Sequence, residues 1–172
     1  RIALDRLASW TEHPDFAVRH FSGTAVYRLS FALDQAALGA HRGWLLDLGD
    51  VQVIAEVRLN GRDLGILWKP PFRMSIDRAL RAGENHLEVR VTNLWPNRLI
   101  GDEHFPDDAS WEGKYLKAWP SWFLERGPRP ESRRKTFSVV KHFSKESPLL
   151  PSGLLGPVRL LPVEIRVVKA GE

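Results

Sequence analysis

Val53-Ile-Ala-Glu-Val-Arg-Leu-Asn-Gly-Arg-Asp-Leu-Gly-Ile-Leu-Trp68 reads as two strands, Val53 to Leu59 and Asp63 to Trp68, around Asn60-Gly61. That dipeptide tolerates the positive φ of a tight hairpin turn, so the stretch predicts an antiparallel pair. The same rhythm continues on both sides of it. Thr24 to Leu33 places Ala25, Tyr27, Leu29 and Phe31 on one face, and Gly43 to Leu48 and Phe72 to Ile76 are further short strands. Asp77 to Leu80 reads as a short helical turn with Asp77 as its N-cap, and Ala82 to Asn85 as a turn. In His86 to Thr92 the apolar Leu87, Val89 and Val91 alternate with polar neighbours, the signature of a half-buried strand. Thr136 to Phe143 and Val158 to Val168 complete the set, and Pro162 makes the last an edge or bent strand. Many short strands with hardly any helix predict an all-β antiparallel β-sandwich, a jelly roll, with ligand sites on loops at one end or on a concave sheet face.

Length and composition are consistent with that. The 172 residues are 43% hydrophobic and 27% charged and contain no Cys, which excludes disordered, collagen-like and disulfide-scaffold classes and any Cys-based metal site. One domain over 1–172 is expected, with 1–22 as an entry segment containing a helical turn and 94–135 as a long inserted loop. No apolar run reaches the roughly 20 residues of a membrane-spanning helix, and no membrane partner is expected. The chain starts at Arg1 and its only Met, Met74, is internal, so it reads as a piece of a longer polypeptide or a processed product.

The formal charge of +4 is uneven: Trp111 to Lys145 holds nine Lys/Arg against three Glu. The same segment carries Trp111, Tyr115, Trp119, Trp122, Phe123, Phe137 and Phe143. A segment this aromatic is too hydrophobic for disorder and is expected to fold over the sandwich, with Trp111, Tyr115 and Leu116 on one face of a short helix. Its basic run Arg126, Arg129, Arg133, Arg134 and Lys135 admits a solvated or interdomain loop, an acidic polysaccharide contact, or phosphate contacts. Nucleic acid ranks last of these and is not carried as a partner.

The run Asp47-Leu-Gly-Asp-Val-Gln-Val-Ile-Ala-Glu-Val-Arg-Leu-Asn-Gly-Arg-Asp-Leu-Gly-Ile-Leu-Trp-Lys-Pro-Pro-Phe-Arg73, with Ala82-Gly-Glu-Asn-His-Leu-Glu-Val-Arg-Val-Thr-Asn93, resembles the sugar-binding, galactose-binding-domain-like jelly roll of family 2 glycoside hydrolases. Phe21-Ser-Gly-Thr-Ala-Val-Tyr27, Asn93-Leu-Trp-Pro-Asn-Arg-Leu-Ile-Gly-Asp102 and Ser147-Pro-Leu-Leu-Pro-Ser-Gly-Leu-Leu-Gly-Pro-Val158 sharpen the likeness toward the C-terminal region of family 106 α-L-rhamnosidase-type enzymes. The resemblance implies a non-catalytic, carbohydrate-binding accessory module of a larger bacterial glycoside hydrolase, secreted or periplasmic. The catalytic carboxylates would lie on another domain, which is itself an implied partner. Loops around 93–102 and 149–156 would be the ones able to lend a residue to an active-site rim. Plant cell-wall polysaccharide, rhamnose- or uronic-acid-containing, is the implied ligand class. A structural accessory domain without ligand affinity is the alternative.

Sugar recognition needs aromatic faces for the C–H side of a pyranose and planar hydrogen-bonding groups for its hydroxyls. Trp68, Trp95, Asn97, Arg98, Asp102, Trp111, Trp119 and Trp122 are the candidate ligand contacts, while Trp10 and Trp44 look structural. The acids Asp102, Glu103, Asp107 and Asp108 read first as a solvated loop rather than a catalytic pair. The six His show no close ligand pair and no EF-hand-like spacing occurs, so no cofactor is expected and a structural Ca²⁺ has no sequence support.

Overall fold

A computed structural model of the protein describes residues 2–164. These fall into two compact units, one built from residues 2–9, 24–93 and 152–164 and the other from Trp10–Gly23 and Leu94–Pro151.

The first unit holds β1 (Thr24–Leu33), α1 (Gln35–Ala40), β2 (Gly43–Asp47), β3 (Asp50–Gln52), β4 (Ile54–Leu59), β5 (Arg62–Leu67), β6 (Arg73–Ser75), β7 (Gly83–Thr92), β8 (Gly153–Gly156) and β9 (Arg159–Val163). They form an antiparallel sheet of order β1-β7-β4-β5, a three-stranded sheet β9-β2-β6 and the pair β8-β3. This is the all-β sandwich that the strand rhythm predicted. The alternating faces explain it: Ala55, Val57, Leu59, Leu87, Val89 and Val91 point inward and are almost completely buried, together with Trp44, Leu46 and Leu48 of the β2 region. Their polar neighbours face water.

Asn60 and Gly61 have φ of 53° and 79°, the two positive angles of a hairpin turn whose twist matches its strands. The Asn60 side chain also donates to Ala79 O and Asn85 Oδ1, each at 2.8 Å, and accepts from His86 N at 2.8 Å. It thereby ties the hairpin to β7. Gly49, at φ 66°, lies so close to Gly156 that a Cβ there would sit 2.3 Å from that residue's carbonyl. Pro162 lies on the edge strand β9, opposite Trp44, where a missing N–H costs no ladder bond.

Several expectations are corrected. Asp77 does not cap a helix: its carboxylate accepts from Trp44 N at 2.7 Å and from Ser75 Oγ at 2.8 Å, and Asp77–Ala79 form only a turn. The helix α1, capped by the Asp34 carboxylate on Ala37 N at 2.6 Å, was missed although Asp followed by Gln-Ala-Ala-Leu is an N-cap signal. The segment Val158 to Val168 is a strand only from Arg159 to Val163, and 165–168 lie outside the described residues.

The second unit contains a 3-10 turn (Trp10–Glu12), α2 (Phe16–Arg19), α3 (Pro96–Asp102), β10 (Ser110–Glu112), β11 (Tyr115–Ala118) and α4 (Ser121–Leu124). The helical turn expected in the entry segment is α2, capped by Asp15 on Ala17 N and Val18 N. Trp111, Tyr115 and Leu116 do not share a helix: they sit on the hairpin β10–β11, turning through Gly113. Thr136 to Phe143 is not a strand, beyond a single bridge of Val140 to Tyr115. Its first amides are spent elsewhere, because Lys135 N and Thr136 N both donate to the Asp102 carboxylate.

Candidate functional site

The sequence-chosen residues separate by environment. Asn97, almost fully buried at the start of α3, holds the backbone of Leu150 by a two-way clamp, donating to its O at 2.7 Å and accepting from its N at 2.8 Å. Asp102, wholly buried at the end of the same helix, receives Lys135 N at 2.8 Å, Thr136 N at 2.6 Å and Thr136 Oγ1 at 2.6 Å on one oxygen. Both side chains therefore organise the loops of the second unit and present nothing to solvent. Arg98, between them, is half-buried, and its charge is one of those acting on His20.

The neighbouring acids are also engaged. Glu103 pairs with Arg134 and Lys141, Asp107 with Lys141 at 2.7 Å, and Asp108 with Arg129, whose Nε donates at 2.9 Å. The acidic loop read as solvated is thus the counter-charge of the basic run. Counted over the whole unit, eleven Lys/Arg meet ten Asp/Glu, so the local basic excess nearly vanishes in three dimensions. Lys114, Lys117, Arg126, Arg133 and Lys135 remain without an ion pair among the described residues.

What stays exposed is aromatic. Trp119 and Phe123 are 46% and 49% exposed, their rings 4.8 Å apart and 19° from parallel. Phe137 lies within 9° of the Phe123 plane, and Trp122 meets both Phe rings edge-on. The Arg129 guanidinium sits 5.9 Å over the Trp122 ring. Trp111 is half-buried with Lys141 5.0 Å over its face. Trp95, at the N-cap of α3, is 65% exposed. The structure thus gathers Trp119 and Trp122 into one cluster with Phe123 and Phe137, two rings that the site list lacked. Phe123 follows Trp122 on α4, and Phe137 is brought in from the segment pinned by Asp102, a long-range contact with no local signal.

A narrow cavity of this unit, lined by Glu103, Asp108, Trp111, Arg134, Thr136 and Lys141 among others, offers about 20 Å³, room for one water but for no sugar. In the first unit Trp68 is 65% exposed at the end of β5, with Lys69 5.3 Å over its ring. Among the described residues no group of three or more His, Cys, Asp or Glu is placed to hold a metal ion.

His20, buried in the second unit, packs on Phe16 and edge-on to His104, and its Nδ1 bonds to Phe16 O at 3.0 Å. Burial, with the nearby Arg19 charge, holds its pKa below the usual 6.5.

These features define a β-sandwich with an aromatic excursion. No family model matches the chain. A Formosa agariphila protein provisionally named a beta-glucuronidase is 48% identical over 160 residues, which cover 93% of this chain and 14% of that protein. The structure of a rhamnosidase from Novosphingobium sp. PP1Y superposes over 92% of the chain with a TM-score of 0.67 and 35% identity, and the chain covers 13% of it. A Bifidobacterium dentium beta-glucuronidase, at 24% identity and TM-score 0.54 over 89% of the chain, shares the fold. The chain is therefore similar, over nearly its whole length, to a domain-sized portion of much larger glycoside hydrolases.

Proposed function

We propose that this chain is an accessory β-sandwich of a larger glycoside hydrolase, without a catalytic centre of its own, that binds carbohydrate through the part-exposed ring stack of Trp119 and Phe123. The observation that carries the reading is that stacked, half-exposed pair of rings, an aromatic surface able to meet the C–H groups of a pyranose. The exposed cations Lys117 and Arg126 flank α4 in sequence and favour plant polysaccharide with acidic sugars. Asp102, Glu103, Asp107 and Asp108 support the non-catalytic part, since the last three pair with Lys/Arg side chains and Asp102 is wholly buried with one oxygen taken by backbone amides. The test is a panel of rhamnogalacturonan, pectin, xylan and β-glucan ligands against the chain, read by Trp fluorescence. A saturable spectral change that disappears in a folded Trp119→Ala variant supports the reading, and an unchanged isotherm in that variant removes it.

A second reading, a module that packs on its parent's catalytic domain, draws on the aliphatic residues Leu94, Leu124 and Leu150, all well exposed in the second unit. Aliphatic surface suits a protein covering better than a sugar. Self-association of the chain that is relieved by Leu124→Lys would favour it.

A further inference from the structure

The outward face of the β1-β7-β4-β5 sheet carries a site that the aromatic cluster does not use. Register places Arg28 and Arg58 on either side of Glu88, one residue from each of β1, β4 and β7 in a single row, and sets Ser30 opposite His86 in the next row. Strand spacing of about 4.8 Å brings such side chains within reach of one small molecule. Around them opens a groove of about 550 Å³, ended by Gly61 of the hairpin turn, where nothing stands within 4 Å of a would-be Cβ. That volume falls in the range of roughly 300–1,000 Å³ typical of small-molecule sites.

The hydrogen bonds leave specific groups unspent. Arg28 Nε donates to Glu88 Oε2 at 2.9 Å, which leaves the terminal nitrogens of Arg28 and the second oxygen of Glu88 available. Arg58 forms an ion pair with Asp63 at 3.8 Å, too far for a hydrogen bond, which leaves its N–H groups able to donate. Ser30 Oγ and His86 Nδ1 lie 2.9 Å apart, which leaves Nε2 as the ring nitrogen of groove-lining His86 not engaged by that bond. The lining therefore holds two guanidiniums against one carboxylate. A planar guanidinium fork matches a carboxylate in two parallel hydrogen bonds, and the remaining Glu88 oxygen and His86 nitrogen suit hydroxyls.

We propose that this groove binds a pyranose carrying a carboxylate, held through Arg58 and Arg28, with its hydroxyls on Glu88 and His86. The site involves no Trp, so it stands or falls apart from the aromatic-cluster reading. The probe is trigalacturonate titrated into the 172-residue chain at low salt, followed by calorimetry and by the NMR signals of the His86 ring. The expected result is saturable binding that moves the His86 signals and weakens roughly 10- to 100-fold in Arg58→Gln, in Arg28→Gln and with the methyl-esterified trimer. In Trp119→Ala it stays within about twofold of wild type, because that residue does not line the groove. No saturation below about 10 mM, equal affinity for acid and ester, or wild-type affinity in both folded Arg variants would each overturn the assignment. Binding lost in Trp119→Ala but kept in Arg58→Gln would move the ligand to the aromatic cluster and overturn it as well.

Discussion

Asp102 is the residue on which the two readings of the loop region differ most sharply, and replacing it with Ala separates them. One carboxylate oxygen takes two main-chain N–H groups and a hydroxyl at 2.6–2.8 Å, so it holds 135–136 against the end of α3 across more than thirty residues. Hydrogen bonds to a charged acceptor contribute about 1.5–3 kcal/mol each. Three that share one oxygen are not additive, and their donors lie in a part-exposed stretch, so the loss works out at about 3–4 kcal/mol. Asp102→Asn keeps an acceptor of the same shape without the charge and should cost about 1–2 kcal/mol. Urea unfolding followed by Trp fluorescence is the assay, because Trp10, Trp95, Trp111, Trp119 and Trp122 all belong to the second unit. Limited trypsin digestion supplies a local readout: Arg133, Arg134 and Lys135 should be cut much faster once 135–136 are released. A ligand-contact role predicts the reverse, with weakened glycan binding and stability unchanged. A stability loss under about 1 kcal/mol and an unaltered tryptic pattern would refute the structural account.

Further outcomes follow from other residues. Gly49→Ala forces a Cβ to within 2.3 Å of the Gly156 carbonyl at a positive φ, and should destabilise by about 3 kcal/mol or more in a thermal or urea melt. Because the buried His20 has a folded pKa below its unfolded value, its contribution to stability is present above about pH 6.5 and is lost as pH falls through that value toward the lower folded pKa. The denaturation midpoint of the second unit should thus drop between about pH 7.5 and 5.5, and this drop should shrink in a folded His20→Gln variant. Asn60→Ala removes three hydrogen bonds and a residue that tolerates positive φ, with an expected loss of about 2–3 kcal/mol measured by urea titration.

The sandwich was legible because its determinants are local. Alternation in 86–92 assigns Leu87, Val89 and Val91 to one face wherever the strand ends up, and Asn60-Gly61 announces its own turn. The excursion was not legible, because long-range partners decide its backbone. Thr136 looks like the start of a strand until Asp102 claims its amide together with that of Lys135. In the same way, the acidic run 102–108 and the basic run 126–135 each look solvated until they are seen to neutralise one another. Composition singled out Trp119, one of the two rings of the proposed surface, and Trp122 beside it. Exposure then separated them from Asn97 and Asp102, which have the right chemistry for hydroxyls but are occupied by the chain itself.

Both units are discontinuous along the chain. β3 finds its partner in β8 and β2 in β9, so Gln52 waits for Gly153 and Asp47 for Arg159, each across about a hundred residues, which is the contact pattern of slow folders. On a ribosome the β1-β7-β4-β5 sheet can pair as soon as residue 93 has emerged. The exposed edges of β2 and β3 then stay unpaired while the whole aromatic excursion is synthesised, a window in which they are open to wrong partners. For anyone dissecting the protein, neither unit can be excised by two cuts. A fragment ending near 93 keeps a hairpin sheet but loses the strands that finish β2 and β3, so deletion mapping would report loss of folding where it means to report loss of binding.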